Sequence, residues 1–379
     1  MSLPDPRRFF SSQEIERSRR YHRPGHVRSA IGASVSMAYL TVLAFTPAGR
    51  ALSDGVGSAA AYAFAVVAIG VVLGLPVRAS GFAHERRWGF ARQTWAGWFG
   101  DWAKGALIGI ALTGGLLTGF LSLAGAAPDA WPWIAAPAAT LVVFVLSFLA
   151  PVVFEPVFNR FRPLEDEELA CDLRALSVKA GVPVRDVLVA DASRRTSKEN
   201  AYVSGLGATR RVVVWDTLLS RGSPRDVRLV VAHELGHRRA RHVLKGTLTA
   251  ALGAVAGVVL LWALLRNLVV LDAIHATRPA DPRVVPFVLL ALAVAGLVTD
   301  PFGMAVSRRW EREADRASIE LTGDGDGFAE MERDLSIANL SELDPGRLAY
   351  LFTHSHPAPA ERITEALPGS LRERQVNTG

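Results

Sequence analysis

The chain has 379 residues, half of them hydrophobic, a formal net charge of +6 and a mean hydropathy of +0.23. This length allows two or three modest domains, or one membrane body with a soluble part, and the hydropathy is high for a soluble protein of this size. The single cysteine, Cys171, excludes an intramolecular disulfide and a thiolate zinc cluster, and the basic residues lie between apolar stretches, which points to membrane topology and not to nucleic acid.

Residues 1–28 are polar and basic, without the apolar core and cleavage site of a signal peptide. Six stretches then reach the roughly 20 residues that a helix needs to cross a bilayer. They lie near 30–48, 56–77, 105–127, 131–154, 246–265 and 284–305. In the third, Gly115 and Gly119 have the small-xxx-small spacing of close helix packing. The leader carries Arg7, Arg8, Arg17, Arg19, Arg20, Arg23 and Arg28, and the loop after the second span carries Arg86, Arg87, Arg92 and Lys104. The opposite loops hold little positive charge. The positive-inside rule therefore puts both termini, the 78–104 loop, the 155–245 segment and the 306–379 tail in the cytosol.

The 155–245 segment reads as a soluble insertion. "EDEELACDLRALSVKAG" predicts an amphipathic helix with Leu169, Leu173, Leu176 and Val178 on one face, ended by Gly181. "VRDVLVAD", "NAYVSG" and "RRVVVWD" predict a small sheet of three strands. A helix starts at Ser223, with Pro224 in its first turn, and carries "VVAHELGHRRARH".

On that helix His233 and His237 lie one turn apart on one face, so two imidazoles can reach one zinc ion, with Glu234 placed to take a proton from bound water. The alternative is a solvated helix face, which the following "RRARH" would suit. A hydrolytic zinc needs a third protein ligand and an open position. "SRRWEREADRA", residues 307–317, offers Glu311 as that ligand and Asp315, one turn on, as the acceptor for the far nitrogen of a ligating histidine. Glu313 is a competing ligand on another face. His242 either belongs near the metal or, five residues after His237 on a straight helix, faces another direction. "TGDGDGF" fails the calcium-loop pattern and predicts a helix–helix turn. Asp300, beside Pro301 late in the sixth span, is an intramembrane acid that either serves a function or sits at a kink.

Taken together, "GFAHERRWGFARQTWAGWFGDWAKG", "PVFNRFRPLEDEELA", "DASRRTSKENAYVSGLGATRRVVVWDTLL", "HELGH", "SRRWEREAD" and "HPAPAER" occur in an order that resembles the type I CAAX prenyl proteases, integral-membrane zinc endopeptidases of the gluzincin class. The resemblance implies that His233, His237 and Glu311 bind one Zn2+, that Glu234 is the general base, and that Asp315 supports a ligand. It implies a substrate-binding strand at Asn200, Ala201 and Tyr202, where an extended peptide adds to a sheet edge, and oxyanion stabilisation by His356 and Arg362. Eukaryotic members have seven spans where this chain has six, and their "HPPL" is "HPAP" here.

The expectation is thus a mainly α, polytopic transmembrane protein with a small cytosolic α/β zinc-metalloprotease part. Residues 1–154 would form the leader and four spans, 155–245 the insertion with HExxH, 246–305 two further spans, and 306–379 the tail with the third ligand. Its partners would be membrane lipid and a peptide or protein substrate, membrane-associated or lipidated, with no nucleic acid. A membrane quality-control protease of looser specificity, and a transporter or scaffold with a vestigial HExxH, stand as the rival readings.

Overall fold

The computed structural model describes residues 3–153, 155–205 and 207–367; the expected tail beyond 367 lies outside the described residues. Among the described residues, six helices are long and apolar enough to cross a membrane. They are α1 (Ser12–Phe45), α2 (Ala59–Arg87), α3 (Trp95–Ala126), α4 (Trp131–Val153) and, beyond the insertion, α7 (His242–Leu265) and α8 (Val284–Thr322). The insertion holds α5 (Glu167–Lys179) and α6 (Pro224–Arg239). The tail holds α9 (Gly325–Ala338), α10 (Arg347–Thr353) and α11 (Pro359–Ala366). The expected class, a helical membrane protein with a small α/β part, is what the chain forms.

The spans turn apolar side chains outward: Leu107, Leu252 and Phe302 are 68%, 71% and 72% exposed. Such surfaces suit lipid, not water. Tyr62, Val66, Leu121, Leu265 and Val284 pack at the centre of the membrane body. Gly115 and Gly119 do not make the expected helix contact, since a Cβ at either would meet nothing within 4 Å. Their neighbour Gly114 does, with its Cβ position 2.7 Å from the ring of Phe64.

The second core, around Leu173, Val189, Val212, Val231, Leu235 and Phe328, joins the sheet to α5, α6 and α9. The sheet has four strands where three were expected: β1 (Phe161–Pro163), β2 (Asp186–Ala190), β3 (Ala201–Ser204) and β4 (Arg211–Trp215), in the order β1-β2-β4-β3. β1 has three residues and ends in proline, too short to show an alternating pattern. β2 and β4 run parallel, while β1 and β3 pair antiparallel on the two outer sides. α5 buries Leu169, Leu173 and Leu176, but Val178 is 66% exposed, because 178 falls off the stripe those leucines define. Gly181, at φ 70°, ends the turn that follows α5. The "TGDGDGF" segment is the expected helix–helix turn: Asp324 caps α9 and is clamped by Arg225. Asp300 lies exposed on α8, directly before Pro301.

Candidate metal centre

α6 begins at a capping box. Ser223 Oγ accepts from the Asp226 amide, and the Asp226 carboxylate accepts from the Ser223 amide. Val227, Val231 and Leu235 pack into the sheet core, leaving the opposite stripe, His233 and His237, to face α8. Two features draw α6 and α8 together. Ser318 Oγ donates to the Leu229 carbonyl at 2.8 Å, and Gly236 lies so close to α8 that a Cβ there would stand 2.8 Å from Cβ of Ala317.

Glu311 is carried into this contact. His233 Nε2 and His237 Nε2 are 3.1 Å apart, and the Glu311 oxygens stand 3.3 Å from the first and 3.4 Å from the second. Ligands held tetrahedrally at about 2.0–2.1 Å from a zinc ion stand about 3.3–3.4 Å from one another. The three residues fit a metal on a second count. Oε2 of Glu311 is buried with no hydrogen-bond donor aligned on it, although His233 Nε2 and His356 Nε2 are each 3.3 Å away. An acceptor of that kind is costly unless a cation sits on it. Glu313, the competing ligand, points elsewhere.

The far nitrogens of both histidines are occupied. Asp315 Oδ1 stands 2.8 Å from His233 Nδ1, close although bent as a hydrogen bond. Burial opposes a charge on His233, but Asp315 and Glu311 outweigh it and raise its pKa to about 10. The pocket therefore favours positive charge, whether proton or metal. His237 Nδ1 lies 2.9 Å from His242 Nδ1, and His242 Nε2 lies 3.0 Å from Glu313 Oε2. On a straight helix His242 would face away. It turns in because Arg241 adopts the left-handed conformation (φ 56°), which breaks the helix between α6 and α7. Trp310 stacks on its ring at 5.2 Å.

Glu234, beside the cage, is half-buried, and burial raises its carboxyl pKa against the pull of His233 and His237. His356 comes from the loop before α11 with its side chain 60% exposed. Arg362 is half-buried. Its Nε and one terminal nitrogen donate to Asp315 at 2.9 and 2.6 Å, and the other terminal nitrogen pairs with Glu332 at 2.6 Å. These contacts brace Asp315 through Arg362. Sequence reading missed Glu332, whose signal is a carboxylate on the apolar stripe of Phe328 and Met331.

Among the described residues, β3 is an edge strand paired only with β4. The Asn200 carbonyl accepts from the Trp215 amide at 3.0 Å, so by antiparallel alternation the main-chain groups of Ala201 and Val203 face outward. Arg238 already donates to the Val203 carbonyl, and Ala201 is itself buried. Asn200 is exposed and its Oδ1 accepts from the Ala201 amide at 2.9 Å. Tyr202 is half-buried, and burial together with Glu155 raises its pKa. His84 and Glu85, at the end of α2, brace this region: Glu85 accepts from Tyr21 and stands 3.4 Å from Lys198.

Two sequence profiles match the chain. One, described as "Peptidase family M48", covers residues 163–368. The other, described as "CAAX prenyl protease N-terminal, five membrane helices", covers residues 4–160. The chain is 28% identical to a Bacillus subtilis protein described as "Uncharacterized metalloprotease YhfN", over 96% of this chain and 87% of that one. It is 29% identical to CAAX prenyl protease 1 of Saccharomyces cerevisiae, over 75% of this chain and 66% of that protein. Its fold matches the crystal structure of S. mikatae Ste24p with a TM-score of 0.84, over 97% of this chain and 91% of that one, at 24% identity.

Proposed function

Because the chain belongs to peptidase family M48 and is a membrane-embedded metallopeptidase, we propose that it is a zinc endopeptidase whose cage is His233, His237 and Glu311, with Glu234 as general base. The observation that carries this reading is the spacing of the three ligand groups around the buried, donorless Oε2 of Glu311. Bound zinc would polarise the scissile carbonyl and make water a stronger acid. Glu234 takes the proton of the attacking water and hands it to the leaving amine as the C–N bond breaks. His356 Nε2, on the open side of the cage, donates to the oxyanion. Asp315 fixes His233, and Arg362 with Glu332 fixes Asp315. The peptide main chain adds to the edge of β3 at Ala201, beside Asn200 and Tyr202.

The arginine distribution supports a cytosolic catalytic part. The substrate we infer is a peptide carried at the membrane surface, its end bearing a lipid, as the name of the yeast relative suggests. The test compares cleavage of one peptide, with and without a C-terminal prenyl group, by the reconstituted protein and by Glu234→Gln. The reading expects preferential cleavage of the lipidated form. It also expects a loss of roughly 10^2–10^4-fold in Glu234→Gln with zinc retained. Equal cleavage of both forms would remove the lipidated substrate, and undiminished turnover by Glu234→Gln would remove the base.

A further inference from the structure

Two cavities share Arg28, and the larger runs along α1 from Gly25 to Leu40. The larger, about 1210 Å³, lies between α1, α2, α3 and the start of α8. Its wall is apolar and glycine-rich, with Val67, Val71, Leu289, Gly70, Gly105 and Gly109 among its residues. A Cβ at Gly105 or Gly109 would meet nothing within 4 Å, so the crevice beside α3 is open at that depth. The smaller, about 570 Å³, lies between α1 and α2. Arg28 lines both; Arg78 lines the larger, and Arg23 and Arg87 the smaller. None of the metal-cage residues lines either.

These four guanidiniums differ from most arginines of the catalytic part, where Arg195, Arg211, Arg225, Arg228 and Arg362 all meet carboxylates. Among the described residues none of the four has a carboxylate within 4.0 Å. The nearby acids are engaged: Asp101 with Arg195, Gln93 and Lys104, and Glu85 with Tyr21 and Lys198. A bilayer does not leave an apolar crevice of this size empty, and unneutralised arginines at its mouth attract an anion.

We propose that this crevice is a binding site for an acidic phospholipid of the adjacent leaflet. The acyl chains would lie along the glycine-lined wall between α2 and α3, and Arg28 and Arg78 would hold the headgroup phosphate, with Arg23 and Arg87 on its outer side. Neither the metal nor the peptide substrate enters the argument.

The test uses delipidated full-length protein in detergent, with native mass spectrometry of retained short-chain phosphatidylglycerol against phosphatidylcholine of the same chain length. Wild type retains the anionic lipid preferentially. At about fivefold per arginine, the Arg28→Gln/Arg78→Gln pair lowers phosphatidylglycerol affinity by about 25-fold and leaves phosphatidylcholine unchanged. Arg28→Lys/Arg78→Lys, which keeps the charge, retains most of the preference and controls for folding. Gly105→Leu/Gly109→Leu, which fills open space, lowers retention of both lipids. Equal retention of the two lipids by wild type would overturn the proposal. So would complete displacement of phosphatidylglycerol by millimolar inorganic phosphate, which would make the site one for free phosphate.

Discussion

Gly236→Ala tests whether the contact between α6 and α8 builds the metal cage. The new Cβ would stand 2.8 Å from Cβ of Ala317 and 3.1 Å from both Cα and O of Ala314. Carbon atoms rest about 3.5–4.0 Å apart, so the helices must part by about 0.7–1.2 Å. Overpacking of this kind costs roughly 1–3 kcal/mol. Ala314 is one turn from Glu311 on α8, so the ligand moves with the helix. Metal–ligand distances tolerate about 0.2 Å, so the shift exceeds the tolerance several times over. The expected result is a zinc affinity lower by about 10–100-fold, the range seen when ligand orientation is lost, with peptide cleavage falling in parallel. Titration of the purified protein against a competing chelator measures the affinity. Adding Ala317→Gly removes the closest clash and recovers part of the loss. Wild-type zinc affinity in Gly236→Ala would refute the claim that this glycine sets the cage.

Other predictions address the supports of the site and the fold. His242→Phe keeps a ring for Trp310 to stack on but removes the nitrogen facing His237, and is expected to weaken zinc binding by about 10–100-fold; unchanged affinity would remove His242 from the site. Asp315→Asn leaves half-buried Arg362 with Glu332 as its ion-pair partner and is expected to cost about 3–5 kcal/mol, read as a lower Tm, with wild-type Tm as the contrary result. Away from the metal, burial pushes the Glu342 carboxyl up, but His354 and His26 outweigh it and hold it at about 2, while the same contact raises His354. The depressed carboxyl stabilises the fold above its unfolded pKa and loses that as pH falls towards 2; the raised imidazolium stabilises below its unfolded pKa and loses that as pH rises through its folded value. Glu342→Gln should therefore cost most stability between about pH 4.5 and 6.5, of order 2 kcal/mol and read as a lower Tm, and less at pH 9. A Tm loss independent of pH would contradict this.

Much of the fold was legible because two periodicities are strong. Apolar runs near 20 residues marked the six spans, and two histidines at i and i+4 marked one helix face. Glu311 was legible as an acid on the helix leaving the last span, with Asp315 one turn on. The place of His242 stayed open, because a straight helix would turn it away. Nothing in "HRRARH" announces a left-handed arginine, a conformation that side chains other than glycine rarely adopt. Arg362 was legible from its motif, while its second anionic partner, Glu332, lies on another helix, and pairing across helices is not written in local sequence. β1 escaped notice because three residues ending in proline carry no alternation.

The central claim is that His233, His237 and Glu311 together hold one catalytic metal. Elemental analysis of purified wild type and of Glu311→Ala, each with its peptide-cleavage rate, tests it most directly. The account predicts about one zinc per folded wild-type chain, and little zinc and no cleavage for the variant. A folded Glu311→Ala that keeps stoichiometric zinc and cleaves peptide at the wild-type rate would contradict it.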